Sequence, residues 1–410
     1  MPFPTRRPSL FALLAPGILV AATGVGAGDL LTASLGGAQV GVGLLWAAVV
    51  GAVFKWVLNE GIARWQMATN TTLLEGWSRR LGVWVRWVFL VYFLLWSFMV
   101  GGALISACGV AGDGLWRLGD PGTSRLVWGV LHSLVGGVMV WFGGFRVFEK
   151  VMSVCIGAMF VCVLLTAVLM QPDWGAVLQG VVTPQLSPEN LPWTLGIMGG
   201  VGGTVTLLSY GYWIREAGRT GQEGLRASRL DLAVAYAATA LFGMAMILIG
   251  SRLQLDQQGA AVALELAAQL GDVLGPAGKW LFLVGFWGAV FSSLLGVWQS
   301  APYLFADFYY LGPGRTKPKA LADSGPYRIF LVAITLLPML LLWLSVQQIQ
   351  LAYAMMGAFF MPLLALTLLL MNNRTGWVGR DFRNSWWLNV LLLITLLAFV
   401  WFGWRGVGGG

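Results

Sequence analysis

The stretch Thr23-Gly24-Val25-Gly26-Ala27-Gly28-Asp29 lies in the middle of an apolar run long enough to cross a bilayer. Three glycines and a carboxylate at that depth interrupt a helix, and backbone freed inside lipid persists only where protein or a water-filled cavity satisfies it. The break therefore requires surrounding helices. It is also the kind of interruption around which a membrane bundle builds a binding site at its midplane.

The rest of the chain supplies those helices. Hydrophobic residues make up 58% of the 410 and charged residues 10%, and apolar runs near bilayer length recur to the end. They read as about eleven spans, near 11–36, 43–64, 84–111, 124–143, 149–170, 193–214, 229–251, 277–300, 327–346, 350–371 and 386–404. The run Gly259 to Leu270 is too short to span and reads as an interfacial or outer-loop helix. The fold class is an all-α integral membrane protein.

Lys and Arg accumulate on the cytoplasmic side of membrane proteins. With the N-terminus inside, most of the 25 basic residues fall in inner segments, among them Arg6, Arg7, Arg79, Arg80, Arg215, Arg219, Arg226, Arg229, Arg315 and Lys317. The outer side receives Arg117, Arg125, Arg252, Lys279 and Arg405. This predicts a multi-pass protein of the cell (inner) membrane, with its N-terminus cytoplasmic and its C-terminus outside. The net charge of +8 follows from that bias and reads as attraction to the inner leaflet rather than to nucleic acid. Cys108, Cys155 and Cys162 all fall in spans without a CxxC pair, so neither a disulfide framework nor a zinc site is indicated. Arg6 and Arg7 before an apolar run imitate a signal peptide, but the run is too long and reads as a retained first helix.

A second glycine-rich interruption, Gly196-Ile197-Met198-Gly199-Gly200-Val201-Gly202-Gly203-Thr204, falls in the sixth span. Matching breaks in the first and sixth spans are the mark of an inverted five-plus-five repeat with the site between them. Glycines that merely let helices pack closely account for most of the others. The chain is thus a single transmembrane domain over 1–410, with repeat one near 11–170, repeat two near 193–371 and an extra helix near 386–404.

Ala15-Pro16-Gly17 leading through the break to Gly36-Gly37-Ala38, then Gly43-Leu44-Leu45-Trp46, resembles the first helix and following turn of the Nramp (natural resistance-associated macrophage protein) divalent-metal transporters. Gly196-Ile197-Met198-Gly199 and the later Gly218-Arg219 fit the same family. The resemblance implies the leucine-transporter fold, broken first and sixth helices, and proton-linked uptake of a divalent cation. It also exposes departures. The family's Asp-Pro-Gly-Asn falls on Gly26, Ala27, Gly28 and Asp29, so the position of the metal-binding Asp is Gly26 and the Asn position has become Asp29. Its Met-Pro-His falls on Gly203, Thr204 and Val205, removing both thioether and imidazole.

A thioether favours soft ions and an imidazole borderline ones. The single His of the chain, His132, lies in the fourth span, so no His cluster exists. One carboxylate, backbone carbonyls and hydroxyls instead suit a hard, hydrated ion such as magnesium, with manganese the family's softer comparison. A glycine-lined pocket could equally hold a small organic solute whose charged group meets the helix ends.

Asp29 carries the strongest expectation, as cation ligand or protonatable carrier. An ionised group at span depth costs roughly 2.5–3.5 kcal/mol on insertion scales and by default marks an ion pathway. As a bland alternative it caps the half-helix that follows. Carbonyls are expected from Thr23, Gly24 and Gly26 and, opposite, from Met198, Gly199 and Gly200, with Gly203 and Thr204 completing the site. Met198 could return a thioether, although a Met in an apolar helix is ordinarily packing. In the second span, Lys55 and Asn59, and Glu60 and Arg64, sit four apart on one face. They read as gate or counter-ion partners, or as a snorkelling pair near the interface. His132 could relay protons, or simply pack. Ser292 and Ser293 fall where hydroxyls line a second cation site in sodium-coupled members of the fold, and Tyr210, Tyr212, Trp213, Arg215 and Glu216 read as an inner gate.

No nucleotide-binding Gly-x-x-x-x-Gly-Lys-[Ser/Thr] loop occurs, nor an HExxH or Ser/His/Asp set, so neither an ATP-driven pump nor an enzyme is indicated. No cofactor is implied. The expected partners are the bilayer, a divalent cation or small solute, and protons or sodium as coupling ion.

Overall fold

The computed structural model describes residues 17, 28–200, 202–252, 262–312, 314–318 and 320–408, with the side chains of Asp29 and some other helical residues outside the description. The long helices are α1 (Ala33–Val40, entered through a π turn, Gly28–Thr32), α2 (Leu45–Thr69), α3 (Val83–Leu115), α4 (Pro121–Leu169), α5 (Leu191–Gly200), α6 (Ser209–Glu216), α7 (Gly221–Gly250), α8 (Val262–Tyr310), α9 (Gly325–Leu336), α10 (Val346–Asn372) and α11 (Trp386–Gly408). Among the described residues, nine helical stretches are long and apolar enough to cross a membrane. The first and fifth expected spans have no separate stretch among them. Leu30–Thr69 joins the end of the first span to the second, and Pro121–Gly143 continues as helix to Leu169 through the fifth. The inner loop expected between spans four and five is itself helical. At 49 residues α4 reaches about 74 Å, more than twice the hydrocarbon thickness.

Local chemistry sets the boundaries. α2 ends where Asn70 turns left-handed (φ 53°), a conformation Asn tolerates better than most residues. Thr72 and Glu75 then form a reciprocal capping box that starts the short helix Leu73–Gly76. Asp120 caps α4 ahead of Pro121, whose missing N–H would be unpaired there anyway. α8 is two helices joined at Gly275 (φ 72°) and Pro276, so the short outer helix expected near Gly259 to Leu270 exists from Val262, and its first residues lie outside the description. Its second part runs to Tyr310, ten residues beyond the expected end of the eighth span at 300. α9 tightens into a 3-10 turn at Leu337–Trp343, where Pro338 withholds a donor.

Close backbone approach holds the bundle together. A Cβ on Gly37 would lie 2.3 Å from the Ile247 carbonyl oxygen, and one on Gly250 would lie 2.2 Å from that of Ser34. α1 and α7 therefore touch backbone to backbone, as small residues allow in membrane bundles. Phe89, Phe93, Trp96, Phe330 and Phe305 form a run of ring contacts from α3 to α8 and α9. Trp84, Trp343, Trp386 and Trp404 are exposed at helix ends, as an aromatic interface belt requires.

Candidate functional site

The sixth expected span is α5, a break and α6. α5 stops at Gly200, and Gly202 (φ 75°) and Gly203 (φ 88°) take conformations that strain any residue with a Cβ. Thr204 (φ −130°, ψ −104°) leads into the 3-10 turn Val205–Leu208 before α6 begins. The last carbonyls of α5 are thus freed within the bundle, where the negative end of its dipole attracts cations.

Side chains from three other helices close on this break, and a fourth helix meets it through a glycine. Lys55 of α2 is fully buried, and its Nζ donates to the Gly199 carbonyl at 2.8 Å. Gly51, one turn earlier on α2, sets that reach: a Cβ there would be 3.0 Å from the Met198 Cα, so α2 lies directly on α5. Thr204 is fully buried, and its hydroxyl accepts from Trp96 Nε1 of α3 at 2.6 Å. A Cβ on Gly357 of α10 would meet the Thr204 methyl at 2.4 Å. Asn59 donates to the Tyr236 hydroxyl of α7 at 2.6 Å, and the Tyr236 ring lies 3.0 Å from where Gly202 would carry a Cβ. Met198 is buried among these apolar neighbours. The π turn that carries Asp29 packs against α5, α7 and α10, and such turns are frequent at functional sites.

Met198, Gly199, Gly200, Gly203 and Thr204 therefore gather around one break, with Lys55 and Asn59 facing it from α2. Thr23, Gly24 and Gly26 lie outside the described residues, as does the side chain of Asp29. Lys55 turns to α5 and Asn59 to α7, although both occupy one face of α2. Glu60 forms the expected pair with Arg64 (2.5 Å) and also binds Arg229 of α7 (2.9 Å). Arg64 extends to the Phe382 and Arg383 carbonyls, both at 3.2 Å, tying these residues to the chain before α11. His132 sits elsewhere, between α4 and α8. Trp287 Nε1 donates to its Nε2 and its Nδ1 meets the Trp128 carbonyl, both at 2.7 Å, which is the pattern of a neutral imidazole protonated at Nδ1. Ser292 is buried and bonds back to the Ala289 carbonyl at 2.8 Å; Ser293 is buried beside it.

A second polar cluster, only partly anticipated from sequence, lies at the Arg-rich end. Asp231 of α7 accepts from Arg219 (2.9 Å), from the Tyr210 hydroxyl (3.0 Å) and from the backbone N–H of Gly17 (2.9 Å). One carboxylate thus joins the start of the first span to the far half of the sixth. Asp307 of α8, fully buried, accepts from the Tyr212 hydroxyl (2.5 Å), Thr72 (3.1 Å) and Lys317 (2.5 Å). Lys317 also binds Glu75 at 2.8 Å, and Arg215 stands 3.6 Å from Glu75. Burial opposes ionisation of Glu75, but the hydrogen bond and charge of Lys317, with Arg215 behind it, outweigh burial and hold its carboxyl below the ordinary range. Burial likewise works against the Lys317 ammonium, and Asp307 and Glu75 reverse that and raise it. Tyr210, Tyr212 and Arg215, read from the sequence as part of an inner gate, belong to this cluster; Asp231, Asp307, Glu75 and Lys317 were not singled out. The available signal was an acid close to the end of an apolar run.

Among the described residues, no three His, Cys, Asp or Glu side chains group as a metal site. The break instead offers carbonyls, a hydroxyl and one ammonium. A manganese transporter variant of Eremococcus coleocola superposes with a TM-score of 0.79 at 17% identity, covering 99% of this chain and 89% of the other. MhsT in complex with L-phenylalanine gives 0.63 at 16%, covering 96% and 98%, and a Na+-coupled sialic acid symporter gives 0.61 at 14%, covering 94% and 88%. At these identities the likeness shows the fold, which is that of the leucine transporter. No curated protein matches the chain significantly. The sequence profile described as natural resistance-associated macrophage protein-like matches residues 17–406, through the break between α5 and α6 and on to α11, and the chain belongs to that family.

Proposed function

We propose that this protein is a secondary active transporter, rather than an enzyme, that carries a divalent metal cation across the inner membrane by alternating access. The observation that carries the reading is the break between α5 and α6, where Gly202 and Gly203 free carbonyls at the end of a half-helix deep in the bundle. Family membership supports a cation as cargo, and the fold neighbour from Eremococcus coleocola is a manganese transporter. The donor set here is harder than a thioether or imidazole would make it. Carbonyls of Met198, Gly199 and Gly200, the Thr204 hydroxyl and the Asp29 carboxylate suit a magnesium-like ion that keeps part of its hydration. In this reading Gly26, Thr23 and Gly24 contribute backbone from the first break. Protons are the coupling ion, with Asp29 their carrier, and the Arg-rich end, with the N-terminus, faces the cytoplasm while the C-terminus lies outside.

A second reading, cation-coupled symport of a small organic solute, is favoured by one observation. The Lys55 ammonium at the end of α5 could receive an anionic group. MhsT with L-phenylalanine and the sialic acid symporter provide precedents on the same fold.

The deciding experiment is uptake of magnesium and manganese into proteoliposomes of the purified protein under an inward proton gradient, with Asp29→Asn as control. Saturable uptake that the variant loses supports the metal reading and ranks the two ions. Silence with both ions, together with uptake of an organic anion, establishes the second reading instead.

A further inference from the structure

Lys55 stands out among the groups around the break because its amino group is fully buried at the place where a transported cation would be held. Its Nζ lies 2.8 Å from the oxygen of Gly199, the penultimate residue of α5. The final carbonyls of a helix lack intrahelical acceptor duty and carry its partial negative charge. They form a cation seat whatever cation fills it. The seat and the ammonium are held in register by backbone contact, since Gly51 presses α2 onto Met198. The long flexible stem of Lys lets the head leave that position without moving the helix.

We propose that Lys55 is an internal cation that occupies the carbonyl seat at the end of α5 and sets the divalent-cation affinity of the translocation centre by competing for it. This deepens the metal reading and rests on it. A divalent ion approaching the break meets a carbonyl one of whose two lone pairs is already engaged and a like charge in a low-dielectric setting, where repulsion is many times its value in water. Tight binding of a bare ion is thereby disfavoured. Entry requires the ammonium to swing away, or an ion that keeps its water and stands further off. Lys55 is thus a specificity-determining residue of the same centre that holds Thr204 and the α5 carbonyls.

A helix cap alone would look similar, and the test separates charge from hydrogen bonding. Lys55→Gln keeps an N–H donor for Gly199 but removes the charge, Lys55→Met removes both, and Lys55→Arg keeps both. Binding of manganese and of magnesium, each as the chloride alone, is measured by calorimetry on the full-length protein in detergent, with thermal unfolding recorded for each variant. The expected result is a Kd for divalent ions lower by about tenfold or more in Lys55→Gln and Lys55→Met, with Lys55→Arg close to wild type. Affinity that is unchanged, weaker or absent in folded Lys55→Gln overturns the proposal, and so does tightening confined to Lys55→Met. Should Lys55→Met fail to fold, Lys55→Gln decides alone. Failure of the metal-transport reading is distinguishable: wild type that takes up no divalent ion into proteoliposomes, beside a Lys55→Gln protein that binds one more tightly, overturns the cargo and leaves the role of Lys55 standing.

Discussion

The break in the sixth helix and the Arg-rich end of the same helix are both buried and polar, yet they are built from opposite materials. At the break the polar groups are backbone carbonyls, a threonine hydroxyl and the single ammonium of Lys55. At the Arg-rich end they are whole side-chain charges, with Asp231, Asp307 and Glu75 set against Arg219, Lys317 and Arg215. Dipoles with few fixed charges can exchange partners with an ion or water at little cost. A desolvated carboxylate cannot, because losing its cation leaves it uncompensated. Rearranging the Arg-rich end therefore costs more than rearranging the break.

That contrast is broken most severely by attacking the Arg-rich end. Arg219→Met leaves Asp231 buried, with only the Tyr210 hydroxyl and the Gly17 N–H as donors. The expected loss is about 3 kcal/mol, in line with removing one partner of a buried pair. It is read as a lower Tm in detergent and as easier labelling of a cysteine introduced near Tyr210. An unchanged Tm would mean that packing, not charge, holds this end together.

A smaller effect is expected at the break, and of another kind. Gly203→Ala forces a Cβ into φ 88°, a cost of about 1–2 kcal/mol. Fold and Tm should survive while uptake falls, because the strain is relieved by moving the carbonyls that face the site. If uptake persisted with Tm reduced, the break would be a structural device without a transport role.

The smallest effect tests the outer part of this network. Glu75 is held below its ordinary value of 4.5, so its contribution is complete above that pH and is lost as pH falls through the lowered value. Lys317 is raised above 10.5, so its share is complete below that pH and fades only beyond it. The stability difference between wild type and Glu75→Gln should therefore stay constant from neutral pH down to about 5 and vanish only in stronger acid. A difference that disappears between pH 8 and 6 would show that another group governs this contact.

The periodic apolar runs and the glycine clusters were legible because both act locally. A span needs only enough consecutive apolar residues, and Gly202 and Gly203 stop α5 through their own backbone freedom. The fifth span and its preceding segment were harder to divide, because α4 continues as helix where a loop was expected. The partners of the buried charges were not legible at all. Asp307 meets Thr72 across 235 positions and Tyr212 across 95, and Lys55 reaches Gly199 across 144. Nothing in a hydropathy profile orders those pairings. Even the one-face spacing of Lys55 and Asn59 left their separate destinations on α5 and α7 undecided.

By itself, then, the sequence determined that this chain crosses a membrane many times, that its sixth helix breaks, and that soft metal ligands are missing where the family carries them. These are properties of composition, period and local backbone strain. Only the tertiary structure decided that a lysine from the second span would meet the Gly199 carbonyl at the break of the sixth, and that one carboxylate would join the start of the first span to the far half of the sixth. Burial makes an unpaired charge intolerable, and which partner relieves it depends on which helices the packing brings into contact.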